Sequence, residues 1–249
     1  ASRPMRVHLA AVRRTVRAAR LILTPSRSAA DDVARVLNIA PDRIRVTPEA
    51  AGQEFRPADD PKAVQEIVRR LGVTERYIFN VGGFDVRKNL PVLIEAFAKM
   101  RTRLDEPVQL VIAGARHSDN PVVFPPLDPI VARLGIQHAV ILPGRITEAE
   151  KLALYQGAAL YVTPSHYEGF GLTALEAMAC GVPTIAAKRT SLPEVVGDAI
   201  ARHAWPLRIA RDGTLHVATA SATWAIVPYA STVSASPSRT TRALPSGTL

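Results

Sequence analysis

Cysteine is almost absent from the 249-residue sequence, which contains Cys180 alone. A single cysteine excludes an internal disulfide and a cysteine-based metal cluster, and it agrees with a reducing compartment. The sequence also lacks a run of roughly 18 apolar residues of the kind that spans a bilayer. Its first residues show no secretory signal pattern. We therefore expect a cytoplasmic protein.

Acidic residues are also scarce relative to basic ones. Asp and Glu number 22 against 31 Lys and Arg, which gives a net charge of +9 and a pI of about 10.3. Such a balance suits an anionic partner: a nucleotide, a nucleic acid or an acidic membrane surface. Alternatively, the arginines are spread over a solvated surface. Aromatic residues make up only 5% of the chain, so base stacking has little support and we expect no nucleic-acid partner.

Hydrophobic residues make up 47% of the chain, enough for a sizeable core in one or two domains. Apolar strands without internal polar alternation indicate burial on both faces, and their alternation with helices predicts a parallel sheet. The expected fold class is α/β, with a Rossmann-like, doubly wound parallel sheet. The predicted strands are 77–81, 108–113, 139–142, 159–163 and 184–187, and the predicted helices are 62–71, 89–100, 127–134, 147–155, 172–180 and 191–196.

The residues before this region predict a smaller unit. Arginines recur at helical spacing over residues 6–23, where they alternate with Leu9, Val12 and Val16. A basic amphipathic helix of this kind can lie on anionic lipid, or it can pack against a further domain. A strand over 21–24, a helix over 29–37 and a strand over 44–47 follow.

One candidate anion site follows the strand that ends at Val81. Gly82 and Gly83 allow close backbone approach, Arg87 and Lys88 supply two cations, and Asn89 is the expected N-cap of the next helix. A helix N-terminus with adjacent cations favours phosphate. Alternatively, Arg87 and Lys88 are a solvated pair. The segment is not a P-loop, because it lacks the Gly-x-x-x-x-Gly-Lys-Ser/Thr pattern.

The second candidate site contains two carboxylates, Glu168 and Glu176, eight positions apart. A turn over 169–171 separates them, and the amides of residues 170–173 are expected to face the ligand because a helix start leaves them unpaired. A carboxylate at Glu176 can accept two hydrogen bonds from a vicinal diol such as that of ribose. Alternatively, Glu176 balances the helix dipole and Glu168 is a loop charge. Both candidate loops follow predicted strands, where ligands of such sheets bind.

Together these segments resemble retaining glycosyltransferases of family 4. The spacing of Glu168 and Glu176 matches the Glu-x7-Glu signature of that family, and residues 177–183 match its helix and following strand. Residues 81–90 resemble its phosphate loop in the variant that ends Arg-Lys-Asn. Residues 142–145 and 191–199 resemble two further family segments. The resemblance covers roughly residues 21–199, with four motifs in the family order.

The resemblance implies the donor-binding half of a GT-B enzyme and assigns roles to particular residues. By that resemblance Arg87 and Lys88 hold the diphosphate, Glu176 binds the ribose hydroxyls, and Glu168 contacts the transferred sugar. Catalytic roles are implied for Glu168, Arg87 and Lys88. No metal or other cofactor is implied, because the two cations can neutralise the leaving diphosphate. The implied donor-binding residues are Gly82, Gly83, Arg87, Lys88, Arg145, Glu168, Gly169, Phe170, Gly171, Leu172, Thr173 and Glu176.

The chain departs from the family pattern at both ends. Residues 1–47 resemble only a remnant of the N-terminal acceptor domain, and residues 48–200 the nucleotide-sugar-binding domain. Residues 201–249 form an atypical tail with Asp212 as the only acid and no lysine. We expect this tail to be partly disordered, from residue 230 onward in particular, with an edge strand within 216–226. Its composition suggests a reading-frame change or a truncated fragment.

The expected partners are a nucleotide-sugar donor and a glycan or lipid-linked acceptor, with peripheral contact at the inner face of an anionic membrane. GDP-mannose is the first expectation for the donor and a UDP-sugar the second. We expect donor binding with little catalysis, since two-domain cleft chemistry needs groups from both walls. A non-catalytic nucleotide-binding module and a basic nucleic-acid-binding protein are the alternative functions.

Overall fold

The computed structural model describes residues 3–197 and three later strands, β8 (Leu207–Ile209), β9 (Leu215–Thr219) and β10 (Ala222–Ala225). Most of the described chain surrounds one parallel sheet. Its strands are β3 (Arg76–Val81), β4 (Val108–Ala113), β5 (Val140–Gly144), β6 (Leu160–Thr163) and β7 (Thr184–Ala186). The Rossmann-like α/β class that the sequence predicts is therefore confirmed.

The strand order β5-β4-β3-β6-β7 contains one reversal of direction. From β3 the chain moves outward through β4 to β5, then returns so that β6 lies on the other side of β3. The connections after β3 and β6 therefore diverge and leave a crevice at the carboxyl edge of the sheet. Ligands of open α/β sheets bind at such a reversal.

Helices cover both faces of this sheet, and each face has its own apolar core. Phe79, Val111 and Tyr161 pack in one core, whereas their strand neighbours Ile78 and Leu110 pack in the other. Successive strand residues point to opposite faces, so strands buried on both sides read as continuous apolar runs. The helices are α3 (Pro61–Arg70), α4 (Leu90–Arg101), α5 (Asp128–Arg133), α6 (Glu148–Gly157), α7 (Leu172–Ala179) and α8 (Leu192–Val196).

The sequence predicts N-caps for two of these helices, α4 and α6. Thr147 and Glu150 form the expected capping box at α6, in which each side chain accepts from the other residue's backbone N–H. At α4, Asn89 occupies the N-cap position but makes no capping bond, and its side chain donates to the Pro164 carbonyl instead. The prediction for Asn89 was wrong in this respect because a 3₁₀ turn, Val86–Lys88, precedes α4 and places Asn89 in the left-handed region.

A smaller unit precedes the sheet domain. It consists of α1 (Arg3–Ala18), β1 (Ile22–Thr24), α2 (Arg27–Leu37) and β2 (Ile44–Val46), with β1 and β2 paired in parallel. The Arg43 guanidinium donates to the carbonyls of Arg17 and Ala19 and thereby satisfies the end of α1. Leu23 and Val46 on these short strands remain exposed.

Strands β8, β9 and β10 form a separate antiparallel sheet in the order β10-β9-β8. The segment 216–226, which was expected to add an edge strand, contains β10 at the edge of this sheet and also contributes to β9, with which β10 pairs. The expectation for residues 230–249 lies outside the described residues. In the described part of the chain, no helix has both the length and the apolarity that crossing a bilayer requires.

Candidate functional site

The two candidate loops meet in the crevice at the reversal of strand order. Lys88 lies on the 3₁₀ turn after β3, and Glu168 lies in the loop after β6. The Lys88 Nζ atom donates to Glu168 Oε1 over 2.7 Å, and the two side chains are only 17% and 12% exposed. The backbone also joins the loops, because the His166 N–H donates to the Arg87 carbonyl over 2.7 Å. A cation and an anion predicted from separate motifs therefore form one contact.

Glycine is required where the lysine side chain crosses the loop. Gly82 has a φ of 151°, and a Cβ atom there would lie 3.3 Å from Lys88 Cε. The neighbouring Arg87 is arranged differently. Its Nε donates to Asp85 Oδ1 over 2.8 Å, and its side chain is 57% exposed. Lys88 is thus the enclosed cation of the pair, and Arg87 borders the crevice.

The carboxylate of Glu168 is oriented by several neighbours. Besides Lys88, the Ser165 hydroxyl donates to the same Oε1 atom over 2.7 Å. Within the described residues, Oε2 makes no hydrogen bond. The Glu168 N–H donates to Thr190 Oγ1 over 3.0 Å. Thr190 has a φ of 46°, an unusual conformation for a β-branched residue that its surroundings must hold in place.

The N-terminus of α7 opens onto the same crevice. Gly171 stands before it with a φ of 116°, and a Cβ atom there would lie 2.8 Å from Leu192 Cδ2. In the hydrogen bonds of the described chain, the amides of Gly171, Leu172 and Thr173 donate to no protein acceptor. Free amides at the positive end of a helix dipole favour an anionic group. Gly169 and Phe170 complete the turn between Glu168 and this helix.

Glu176 lies deeper than Glu168, one turn into α7. It is 9% exposed and accepts from the Tyr155 hydroxyl over 2.8 Å and from Lys151 Nζ over 3.4 Å. Burial, followed by the charges of Tyr161 and Glu176, raises the pKa of Tyr155 well above its ordinary value. Burial by itself lowers the pKa of Lys151. The hydrogen bond to Glu148 and the charge of Glu176 raise that pKa by more than burial lowers it, so it lies above its ordinary value. A diol at Glu176 would share the carboxylate with these two donors.

The remaining predicted residues border the site. Gly83 lies beside Asp85 and His117 in the loop after β3. Arg145 follows β5 on the exposed surface and makes no hydrogen bond to another described residue. Among residues 3–197 and the later strands, no group of three His, Cys, Asp or Glu side chains is arranged to hold a metal ion.

The sequence motifs did not identify the hydroxyl residues that hold the Glu168 turn. Ser165 orients the carboxylate, Thr190 accepts from the Glu168 N–H, and the Ser191 hydroxyl lies 2.9 Å from the Glu168 carbonyl and 2.7 Å from that of Phe170. Ser26, far away in sequence, donates to the Gly169 carbonyl over 2.7 Å. Serine and threonine are common in loops, so their types alone carried no signal. The position of Ser191 in a family-like segment was the available hint.

A parallel sheet with a cation, a carboxylate and a helix N-terminus at its reversal point places this chain in the doubly wound α/β class, whose ligands bind at that point. The family described as "Glycosyl transferases group 1" matches residues 64–205. The chain belongs to this family. It is 34% identical over 183 residues to O-antigen chain mannosyltransferase B of Escherichia coli, covering 73% of this chain and 46% of that protein. It is 32% identical over 177 residues to MMP alpha-(1->4)-mannosyltransferase of Mycolicibacterium hassiacum, covering 71% of this chain and 39% of that protein.

Solved structures agree on the fold. The Anabaena HepE structure in complex with UDP and glucose superimposes with a TM-score of 0.62 at 21% identity, covering 71% of this chain and 46% of that one. Sucrose-phosphate synthase from Thermosynechococcus elongatus gives a TM-score of 0.61 at 24% identity, covering 77% and 47%. The chain therefore has the Rossmann-like fold of one half of a GT-B glycosyltransferase. It spans less than half the length of these curated relatives and structures.

Proposed function

We propose that this chain is the donor-binding half of a retaining glycosyltransferase that transfers a sugar from a nucleotide-sugar to a glycan or lipid-linked acceptor. The observation that carries the proposal is the 2.7 Å contact between Lys88 and Glu168 beside the free amides of α7. A cation, helix-terminal amides and a carboxylate at one crevice match the needs of a diphosphate joined to a hydroxyl-rich group. Membership of the glycosyltransferase family supports sugar transfer as the reaction.

Each group has a defined task in this proposal. Lys88 exchanges its bond to Glu168 for the diphosphate, and Arg87 turns one free edge of its guanidinium toward the same phosphates. The amides of Leu172 and Thr173 bind the phosphates from the other side. Glu176 accepts from the ribose hydroxyls, and Arg145 borders the base. Lys88 and Arg87 stabilise the negative charge that develops on the leaving diphosphate, a task for which no metal or other cofactor is required.

Glu168 is released when Lys88 binds phosphate. It then faces the transferred sugar together with the Gly169–Phe170–Gly171 turn, where its oxygens can accept hydroxyl hydrogen bonds. The names of the relatives favour GDP-mannose as the donor, and a UDP-sugar is the second choice. Contact of the basic helix α1 with an anionic membrane would bring a lipid-linked acceptor near the site.

Binding of nucleoside diphosphates tests this proposal. Thermal shift against GDP, UDP and ADP selects the base, because a ligand that binds only the folded state raises the melting temperature. Isothermal titration then compares Lys88→Met with Arg87→Met. We expect Lys88→Met to weaken binding about tenfold or more, as loss of an enclosed charge-assisted hydrogen bond does. Arg87→Met should weaken it only about two- to fivefold, because that side chain is more exposed and keeps Asp85 as a competing partner.

Arg133→Met provides the matched control. Arg133 pairs with Glu95 over 3.0 Å on the exposed face between α4 and α5, away from the crevice, so its replacement should leave affinity unchanged. If none of the three nucleotides stabilises the unmodified chain, the proposed donor site is wrong. Equal affinity of Lys88→Met and the unmodified chain would reject Lys88 as the phosphate ligand.

A further inference from the structure

The start of α2 is bound by a residue from the far end of the sheet domain. The carboxylate of Glu194, on α8, accepts from the Arg27 N–H over 2.8 Å and from the Ser28 N–H over 2.9 Å. The Ser26 side chain accepts from the Ala29 N–H, and the Ser26 carbonyl accepts from the Ala30 N–H. The bond from Ala30 is the first regular bond of the helix, and three N–H groups that a helix start leaves unpaired, those of Arg27, Ser28 and Ala29, are satisfied by side chains, two of them by Glu194.

Ser26 also reaches into the candidate site. It is only 1% exposed, and its hydroxyl donates to the Gly169 carbonyl over 2.7 Å while it accepts from Ala29. A hydroxyl can do both at once because it has one hydrogen and two lone pairs. A second contact lies on the exposed side, where the Tyr167 hydroxyl donates to Asp32 over 2.8 Å.

Hydroxyl groups from opposite directions therefore hold the turn after Glu168. Ser26 binds the carbonyl of Gly169, whereas Ser191 binds the carbonyls of Glu168 and Phe170. Glu194 lies on α8, the helix that starts after Ser191. Its carboxylate binds the start of α2, so the residues on both sides of the turn are also connected to each other. The start of α2 is consequently attached both to the turn, through Ser26, and to α8, through Glu194.

We propose that Ser26 and Glu194 are positioning residues that fix the Glu168–Phe170 turn for the sugar part of the donor. The sugar consequence rests on the proposed function, in which Glu168 and this turn face the transferred sugar. The nucleotide part depends instead on Lys88, Glu176 and the amides of α7, none of which Ser26 contacts. Loss of the Ser26 hydroxyl should therefore weaken binding of a nucleotide-sugar more than binding of the nucleotide alone.

Amide hydrogen exchange on the full chain tests the positioning without any ligand. Ser26→Ala and Glu194→Ala should speed exchange at the amides of His166 and Glu168, which bridge the two loops and the Thr190 hydroxyl. Ser28→Ala is the matched control, since only its backbone N–H takes part in the contact and is retained. Glu194→Gln keeps an oxygen acceptor and should restore part of the protection. Unchanged exchange at His166 and Glu168 in both alanine variants would overturn the proposal.

Titration with GDP and GDP-mannose tests the consequence for the ligand. We expect Ser26→Ala to weaken the binding of GDP-mannose about fivefold, as loss of one hydrogen bond does. The affinity for GDP should change less than about twofold. An equal loss for both ligands would reduce Ser26 to a general structural role and reject the sugar assignment. If the unmodified chain binds neither ligand, the donor assignment fails, and hydrogen exchange alone decides the positioning.

Discussion

Lys88 and Glu168 form an enclosed ion pair that has both a desolvation cost and an electrostatic gain. Two charges that are each less than 20% exposed lose much of their hydration, and their mutual contact offsets that loss. The same contact keeps the lysine in the crevice, so under the proposed function less conformational entropy would be lost on binding phosphate. The ion pair thus fixes the positions of both side chains in the crevice.

Cys180 lies beneath the site and should be unreactive in the native protein. Burial, with a contribution from the charge of Glu176, raises its pKa to about 12 from an ordinary 9.0. Because only the thiolate reacts with disulfide reagents, we expect Ellman's reagent at pH 8 to label the native chain far more slowly than the chain in guanidinium. Rapid labelling of the native state would contradict this burial.

The same shift predicts how stability depends on pH. Between about pH 9 and 12 the unfolded thiol loses its proton, whereas the native thiol keeps it. The unfolded state then binds fewer protons, so the free energy of unfolding falls as pH rises, by at most about 1.4 kcal/mol per unit from this group. Urea denaturation across this window should show a steeper decline for the unmodified chain than for Cys180→Ala.

At the scale of elements, the connections after β3 and β4 are packed against each other through two glycines. Gly114 has a φ of 135°, and a Cβ atom there would lie 1.8 Å from the Gly82 carbonyl oxygen. Gly114→Ala should therefore destabilise the fold by more than about 3 kcal/mol, because backbone rather than a flexible side chain must move. Urea denaturation, or loss of soluble protein, measures the effect.

Gly135 after α5 supplies the comparison for this substitution. Its φ of 67° is also left-handed, but nothing lies within 4 Å of the position that a Cβ atom would take. Gly135→Ala should cost only about 1–2 kcal/mol, the strain of the backbone conformation by itself. Similar losses in both variants would mean that strain, and not the contact between the loops, dominates at Gly114.

The elements of the sheet domain could be predicted closely from the sequence because each is strongly patterned. The predicted strand over 108–113 has the observed bounds of β4, in which all six residues are buried. Glu168 and Lys88 were found because their motifs follow strands. Ser26 was missed because its role depends on a contact with Gly169, 143 residues away, and Asn89 was misjudged because a left-handed residue is not evident from its type.

At the scale of the whole molecule, the proposed donor site lies in the sheet domain that the structure describes. The matched part of the chain covers 46% and 39% of the length of two relatives, and transfer between two substrates needs groups that hold both. We expect the chain to bind nucleoside diphosphate while transferring little sugar, as measured with labelled GDP-mannose and a mannose-containing acceptor. Robust transfer by the isolated chain would contradict this expectation. Tight donor binding without transfer in a longer relative would favour a non-catalytic module.

The contact between Ser26 and Gly169 also limits the order in which the protein can assemble. β3 pairs with β6, whose residues follow about 80 positions later. The start of α2 is likewise completed only when Glu194 is present. During synthesis one edge of β3 and the start of α2 emerge long before their partners, and contacts of such separation form slowly. The candidate site is therefore among the last parts of the described chain to form on the ribosome, and until then an open strand edge is available to chaperones.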